Sequence, residues 1–438
     1  MDAIPIPALI AVATVLFAPV FLVHLFGGRV AQGDAALLFA TNAGHNGLAA
    51  TFAGAVAGNV GIGSFLALFL FSQGSPVIGF SIVGAYTLGL VLCALLARPI
   101  RTAAARAGTV GLIDLIARSH AIERTSLVWL PVAVVFVLRS AVQLGALAAL
   151  GGSLFAMDGT VAIALSAALI GSYLLLGGYR AAVQTDMVQA VFIVGGGLAC
   201  LTGLGRLTGE PVPFLSFGAY EPAILAGVWL FIPWSAVLAV DNWQRVTVAQ
   251  STGVAQAAYL GAAGVCGALF LLMALAGHGA PAGATMYDTF LSLVPPGLGW
   301  LVWAMFVACI MSSIDTFLMP LVAATGGRSI AGMRALVVLL VSATALAAIA
   351  FADTLDTVIA AFNSLAVFLP TAFGALFLAN PPRFAAVASM NGGLAAAIGF
   401  TLVDQNSAAL VGFVVACLLY GVGIWRAGGL GREGERAG

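Results

Sequence analysis

The sequence predicts an all-α polytopic membrane protein of about 13 transmembrane helices, and three observations predict it. Of its 438 residues, 62% are hydrophobic and only 7% charged, whereas about a quarter of the residues in soluble globular domains are charged. Apolar runs long enough to cross a bilayer recur from end to end, since a hydrocarbon core about 30 Å thick asks for about twenty helical residues. The arginines fall almost entirely on one side of the resulting weave, as the positive-inside bias requires.

The first run, Ile6 to Phe26, has no positive charge ahead of it and no convincing cleavage site, so it reads as a retained helix over 6–27 and not as a signal peptide. Further spans follow at 46–73, 77–97, 127–156, 159–177, 182–205, 222–241, 254–277, 297–325, 333–351, 354–378, 384–403 and 407–425. With the N-terminus outside, Arg29, Arg98, Arg101, Arg106, Arg118, Arg124, Arg180, Arg245, Arg328, Arg334, Arg383, Arg426, Arg432 and Arg436 lie on the cytoplasmic side. Arg206 alone falls outside, and Arg139 falls within a helix. The inverted arrangement would break the bias at nearly every loop. The tail over 426–438, with its "GREGERAG", is then cytoplasmic.

No loop is long enough for a soluble domain, so any chemistry must take place within the membrane. There is no HExxH, no GxSxG elbow and no Gly-rich phosphate loop after a strand, which argues against an enzyme. The positive residues are all arginines, sixteen against sixteen acids, with no basic or acidic block to meet nucleic acid, and no obligate protein partner is evident. Cys93, Cys200, Cys266, Cys309 and Cys417 sit in apolar segments without metal-ligand spacing and read as packed free thiols. Transport, sensing or channel activity remains.

Polar residues that are costly to bury in hydrocarbon mark functional candidates. Arg139, in "VFVLRSAVQ", lies deep in its span, with Gln143 one turn further on the same face. It reads either as one half of an internal ion pair with an aspartate or as a guanidinium that grips a substrate carboxylate. Asp186 stands near the start of the sixth span. Asp315, in "CIMSSIDTF", shares a helical face with Ser312, while Cys309, Ser312, Ser313 and Thr316 form a stripe at three- and four-residue intervals. Hydroxyls beside an intramembrane carboxylate describe a hard-oxygen site for a small cation. One buried arginine against two aspartates leaves one negative charge, which a sodium ion or a proton would neutralise.

Two spans carry signals of interruption. In "AGAVAGNVGIGSF", residues 53–65, Gly58, Asn59, Gly61 and Gly63 favour local unwinding. Five spans later, "WLFIPWSAV" places Pro233 where it must break or kink the helix. Interruptions five spans apart suggest two five-helix repeats of opposite topology, 46–205 and 222–378, with one helix before them (6–27) and two after (384–425). The whole of 1–438 is then one transmembrane domain, with its site near the midplane between the repeats.

These segments resemble the sodium:solute symporter family. "LLGGYRAAVQTDMVQA" looks like the family's Gly-Gly…Thr-Asp…Gln helix entry, "CIMSSIDTFLM" like its Met-Ser-Ser/Thr helix, and "AGAVAGNVGIGSF" occupies the position of its broken first repeat helix. The resemblance implies a LeuT-like inverted-repeat fold and a main sodium site made by carbonyls of Ala57, Val60 and Cys309 with hydroxyls of Ser312 and Ser313. It also implies a second sodium site, present in some members, from Asp186, Ser312, Asp315 and Thr316. Arg139 would lie in a pocket-lining helix, Asn59, Ser64 and Gln143 would add polar contacts, and Phe80, Trp234 and Phe362 would gate the pocket. The chain departs from the family at Gly58-Asn59, where many members have Ser-Asp or Ser-Asn, and in the short "TGGRSIAGM" loop. The expected function is a secondary active symporter of a prokaryotic inner membrane that uses Na+ as coupling ion to import a small carboxylate-bearing solute. Proton coupling on the same fold and a non-transporting solute sensor are the alternatives.

Overall fold

Inside a bilayer every backbone polar group must find its partner within the protein, which selects helices. The computed structural model is accordingly built of helices and short connections, with no strand among its described residues, which are 6–27, 39–41, 46–155, 157–209, 212–222, 224–295, 297–325, 329–350, 364–401 and 403–428. The helices are α1 (Ile6–Gly27), α2 (Leu48–Asn59), α3 (Ile62–Gly74), α4 (Pro76–Ala107), α5 (Leu112–Ser119), α6 (Ser126–Phe155), α7 (Gly159–Leu201) and α8 (Ile224–Val237). They continue as α9 (Val240–Val248), α10 (Thr252–Gly279), α11 (Met286–Leu293), α12 (Gly299–Ala323), α13 (Ile330–Ala350), α14 (Leu369–Phe377), α15 (Arg383–Thr401) and α16 (Gln405–Arg426).

Among the described residues, eight helices are long and apolar enough to cross a bilayer, or up to ten when each of two bent pairs counts as one span. The difference from thirteen has identifiable causes, of which the first is that the opening span is counted only as a shorter apolar helix over Leu9–Ala18. The expected fifth and sixth spans lie on either side of a kink in α7, which runs 43 residues and is non-helical at Gly178 (φ 56°, ψ −142°). A Cβ at Gly178 would come within 2.5 Å of the Phe39 carbonyl oxygen, so only glycine fits that bend. The expected eleventh span, 354–378, is described only from Ser364 onward.

The two bent pairs are the interrupted spans. α2 ends at Asn59, the chain turns through Val60 (φ −99°, ψ 78°) and Gly61, and α3 departs at 51°. α8 and α9 meet at 43°. Here the expectation at Pro233 needs correction, because the helix continues through the proline and breaks only at Leu238–Ala239. Side-chain donors from the next helix explain that position. Asn242 donates to the Ala236 carbonyl at 2.7 Å, and the Trp243 indole donates to that of Val237 at 2.6 Å, replacing ladder bonds that end there.

α12 is the central helix, with every residue from Ala304 to Val322 buried, and it packs against α7, α6, α1 and α2. α10 covers the broken pair α2–α3 and also packs on α4, while α15 and α16 pair with each other. Large apolar side chains such as Leu198, Leu339, Leu346 and Leu418 point outward, as a lipid-facing perimeter requires. The start of α2 and the end of α9 are joined by an isolated parallel bridge between Asn46 and Ala249. Arg101 caps the same end of α9 by donating to the carbonyls of Val246, Thr247 and Ala249 at 2.7–2.9 Å.

Candidate functional site

The break in α2–α3 lies against the serine pair of α12. Ser312 Oγ is 2.7 Å from the Ala57 carbonyl oxygen and 3.2 Å from that of Cys309, and Ser313 Oγ donates to the Cys309 carbonyl at 2.8 Å. Gly61 lets the turn approach this closely, since a Cβ there would lie 2.8 Å from Ser313 Oγ. Gln143 of α6 reaches across, its Oε1 accepting the Ile62 N–H at 3.0 Å and so satisfying a first-turn donor of α3. Its Nε2, fully buried, has no partner. Carbonyls of Ala57 and Cys309 and hydroxyls of Ser312 and Ser313 thus meet at the point where Val60 leaves the helix. These are uncharged hard-oxygen donors, a set that suits a monovalent cation better than a transition metal. Among the described residues no cluster of three His, Cys, Asp or Glu side chains exists to hold a metal.

The second group of polar residues is organised differently from the sequence-based expectation. Arg245, assigned there to the cytoplasmic side, is only 4% exposed. Its guanidinium bonds Asp186 Oδ2 at 2.9 Å and Thr316 Oγ1 at 2.7 Å through Nη2, and Asp241 Oδ2 at 2.5 Å through Nη1. The reason is the break at Leu238–Ala239. α9 continues the span beyond the break, so that Asp241 and Arg245, four residues apart on one helical face, stay inside the bundle. Asp315 Oδ2 accepts from the Tyr173 hydroxyl at 2.9 Å and from Thr185 Oγ1 at 3.2 Å. Asp186 Oδ1 and Asp315 Oδ1 are both buried and without a partner.

Asn59 faces the second break. Its amide exchanges two hydrogen bonds with Asn242, 3.0 and 3.1 Å, and Tyr259 donates to Asn242 Oδ1 at 2.8 Å. Arg139, 1% exposed, places its guanidinium carbon 4.6 Å from the Phe317 ring centre and 5.3 Å from that of Phe136, close enough for cation–π attraction. It also interacts electrostatically with Tyr86 and Asp241. Ser64 is half-buried on the first turn of α3. Phe80 packs on Phe214 and His278, with ring centres 5.1 and 6.1 Å away, and Trp234 meets Phe373 edge-on at 5.4 Å. Phe362 lies outside the described residues. Arg245, Asp241, Asn242, Tyr173 and Tyr259 were not singled out from sequence, although the Asp241–Arg245 spacing is itself a helical ion-pair signal.

No protein-family model and no curated protein matches the sequence. Solved structures do match in fold. A Na+-coupled sialic acid symporter, in a substrate-bound outward-open state, superposes with a TM-score of 0.75 over 95% of this chain and 97% of its own, at 14% identity. A nucleobase-cation-symport-1 family transporter, closed with bromovinylhydantoin bound, gives 0.58 over 93% and 98%, also at 14%. A manganese transporter of Eremococcus coleocola gives 0.53 over 91% and 96%, at 14%. The chain has the LeuT-like fold of these transporters. It is a multi-pass membrane protein whose structural neighbours are transporters and not enzymes.

Proposed function

We propose that this chain is a secondary active symporter of the sodium:solute type, which couples downhill sodium entry to import of a small carboxylate-bearing solute such as an organic acid, amino acid or acidic sugar. The observation that carries the reading is the meeting of four uncharged oxygens, from Ala57, Cys309, Ser312 and Ser313, at the break between α2 and α3. A cation held there, with Val60 completing the set, would tie the broken helix to α12. Among the described residues five charged groups are buried among the helices, the guanidinia of Arg139 and Arg245 against the carboxylates of Asp186, Asp241 and Asp315. With all three carboxylates ionised their sum is one negative charge, which one sodium ion, or one proton, neutralises.

Arg139 and Gln143, both buried and one helical turn apart on α6, supply the solute subsite: a guanidinium for a carboxylate and an amide Nε2 with no partner. Asn59 is held by Asn242 and so acts by joining the two breaks. Alternating access would proceed by rocking of one helix group against the other about this site. Ion and solute, completing one site, must favour each other's binding by equal factors. The N-terminus would lie outside and the C-terminus in the cytoplasm of a prokaryotic inner membrane.

The first test is thermal unfolding of the detergent-purified protein in sodium against potassium at fixed ionic strength and pH. A sodium-specific rise in Tm that disappears in Ser312→Ala is the expected result. Proton coupling is the second reading, favoured by the unpartnered Asp315 Oδ1. A protein that ignores sodium and loses proton-driven uptake on Asp315→Asn would establish it instead.

A further inference from the structure

We infer that Arg245 is a tethered cation: its guanidinium holds the position of a second coupling ion between α7 and α12, so that one exchangeable sodium ion binds per chain. The coupling half of this inference rests on the symporter reading above; the tethered-charge half does not. Two of the four side chains expected to make a second sodium site, Asp186 and Thr316, are both bonded to one nitrogen, Arg245 Nη2, at 2.9 and 2.7 Å. A third, Ser312, is turned to the carbonyls of Ala57 and Cys309. The fourth, Asp315, is held by Tyr173 and Thr185. The residues therefore do not fit a free ion between Asp186 and Thr316 while the guanidinium is in place.

The surroundings are shaped for that guanidinium. α2 presents Gly54 and Gly58, one turn apart, to Arg245. A Cβ at Gly54 would come within 2.7 Å of Nε and 3.2 Å of Asp186 Oδ2, and one at Gly58 within 2.8 Å of Nη2. The glycine at 58, where many sodium:solute symporters have serine, thus gives the guanidinium room beside the broken helix. Asp241 holds the other terminal nitrogen at 2.5 Å. An arginine stays charged under all physiological conditions, and this one is anchored through α9. It supplies the local positive charge of a bound ion without being released in the cycle. Among the described residues, two arginines and three ionised aspartates leave a single negative charge, which matches one exchangeable monovalent cation.

The experiment has two arms on the purified full-length protein. The first is equilibrium binding of radioactive sodium to the wild type. About one ion per chain, lost in Ser312→Ala, is expected, and a second ion per chain that Asp186→Asn removes would overturn the inference. The second arm does not depend on sodium coupling. Arg245→Ala, and the charge-balanced Arg245→Ala with Asp241→Asn in case the single variant does not fold, are heated with guanidinium chloride at about 10 mM against equal choline chloride. A rise in Tm of about 3 °C or more in the variant and none in the wild type is expected, because the free cation refills the vacated position. No guanidinium-specific rise in the variant overturns the inference. A wild type that binds no sodium removes the coupling reading and leaves the second arm to decide the role of Arg245.

Discussion

Asn59 and Asn242 exchange two amide hydrogen bonds, 3.0 and 3.1 Å long, between the last residue of α2 and the first turn of α9. The pair couples the two breaks directly, and Asn242 additionally donates to the Ala236 carbonyl at the end of α8. A buried amide left without its partner costs about 1–3 kcal/mol. Asn59→Ala and Asn242→Ala should each lower Tm by several degrees. In a double-mutant cycle the pair should show a coupling of about 0.5–3 kcal/mol, and strict additivity of the two losses would mean that the breaks are held independently.

Ser312→Ala combined with Ser313→Ala removes two hydroxyl oxygens from the break and leaves no buried charge behind. Sodium activation should weaken at least about tenfold, equivalent to roughly 1.4 kcal/mol, with little change in Tm measured in potassium. Gly61→Ala should do similar harm without replacing a ligand, since its Cβ would press on Ser313 Oγ at 2.8 Å and on the Gln143 amide at 3.3 Å. Unchanged sodium activation in the Ser312/Ser313 variant would move the ion elsewhere.

The broken first helix and the serine stripe were legible because each is a local pattern. Glycines crowd residues 58–63, and hydroxyls recur at helical spacing around residue 312. The second break was misplaced for a physical reason: Pro233 is a visible breaker, but the ladder actually ends where Asn242 and Trp243 offer side-chain donors to the Ala236 and Val237 carbonyls. That displacement hid Arg245. An arginine a few residues past an apolar run reads as a loop residue until the break shows that the run continues as α9. Tyr173 and Thr185, the donors to Asp315, come from α7, more than a hundred residues away in sequence. No local pattern marks such partners.

Arg139 tests the solute class. Arg139→Gln should abolish binding of carboxylate solutes. Arg139→Lys should fail to restore it, because an ammonium offers neither the planar fork nor the same stacking on Phe136 and Phe317. Phe317→Leu removes the nearer ring, and cation–π contact in a dry site is worth about 2 kcal/mol. A several-fold rise in the solute Kd with sodium affinity retained is expected. Full carboxylate affinity in Arg139→Gln would return this arginine to a purely structural role.

His120 gives the fold a pH dependence away from the transport site. It follows α5, outside the spanning helices, and is 1% exposed. Nδ1 lies 2.9 Å from the Ile116 carbonyl oxygen and Nε2 2.9 Å from the Tyr420 hydroxyl. The carbonyl can only accept, so the neutral ring carries its proton on Nδ1 and accepts from Tyr420. Burial lowers its pKa to about 4, against the opposing effect of the carbonyl bond. Between about pH 6.5 and 4 the unfolded chain therefore binds a proton that the folded chain refuses. The contribution of His120 is fully present above pH 6.5 and is lost as pH falls through that window, up to about 3 kcal/mol. Asp114, on α5, works in the opposite direction, because burial raises its pKa to about 7 despite Arg118, and its contribution is lost as pH rises toward and through 7. Substituting His120→Gln separates the two. The Tm gap between wild type and His120→Gln should shrink as pH is lowered from 7 to about 4.5, and a gap constant with pH would mean that the imidazole titrates in the folded protein as it does in the unfolded chain.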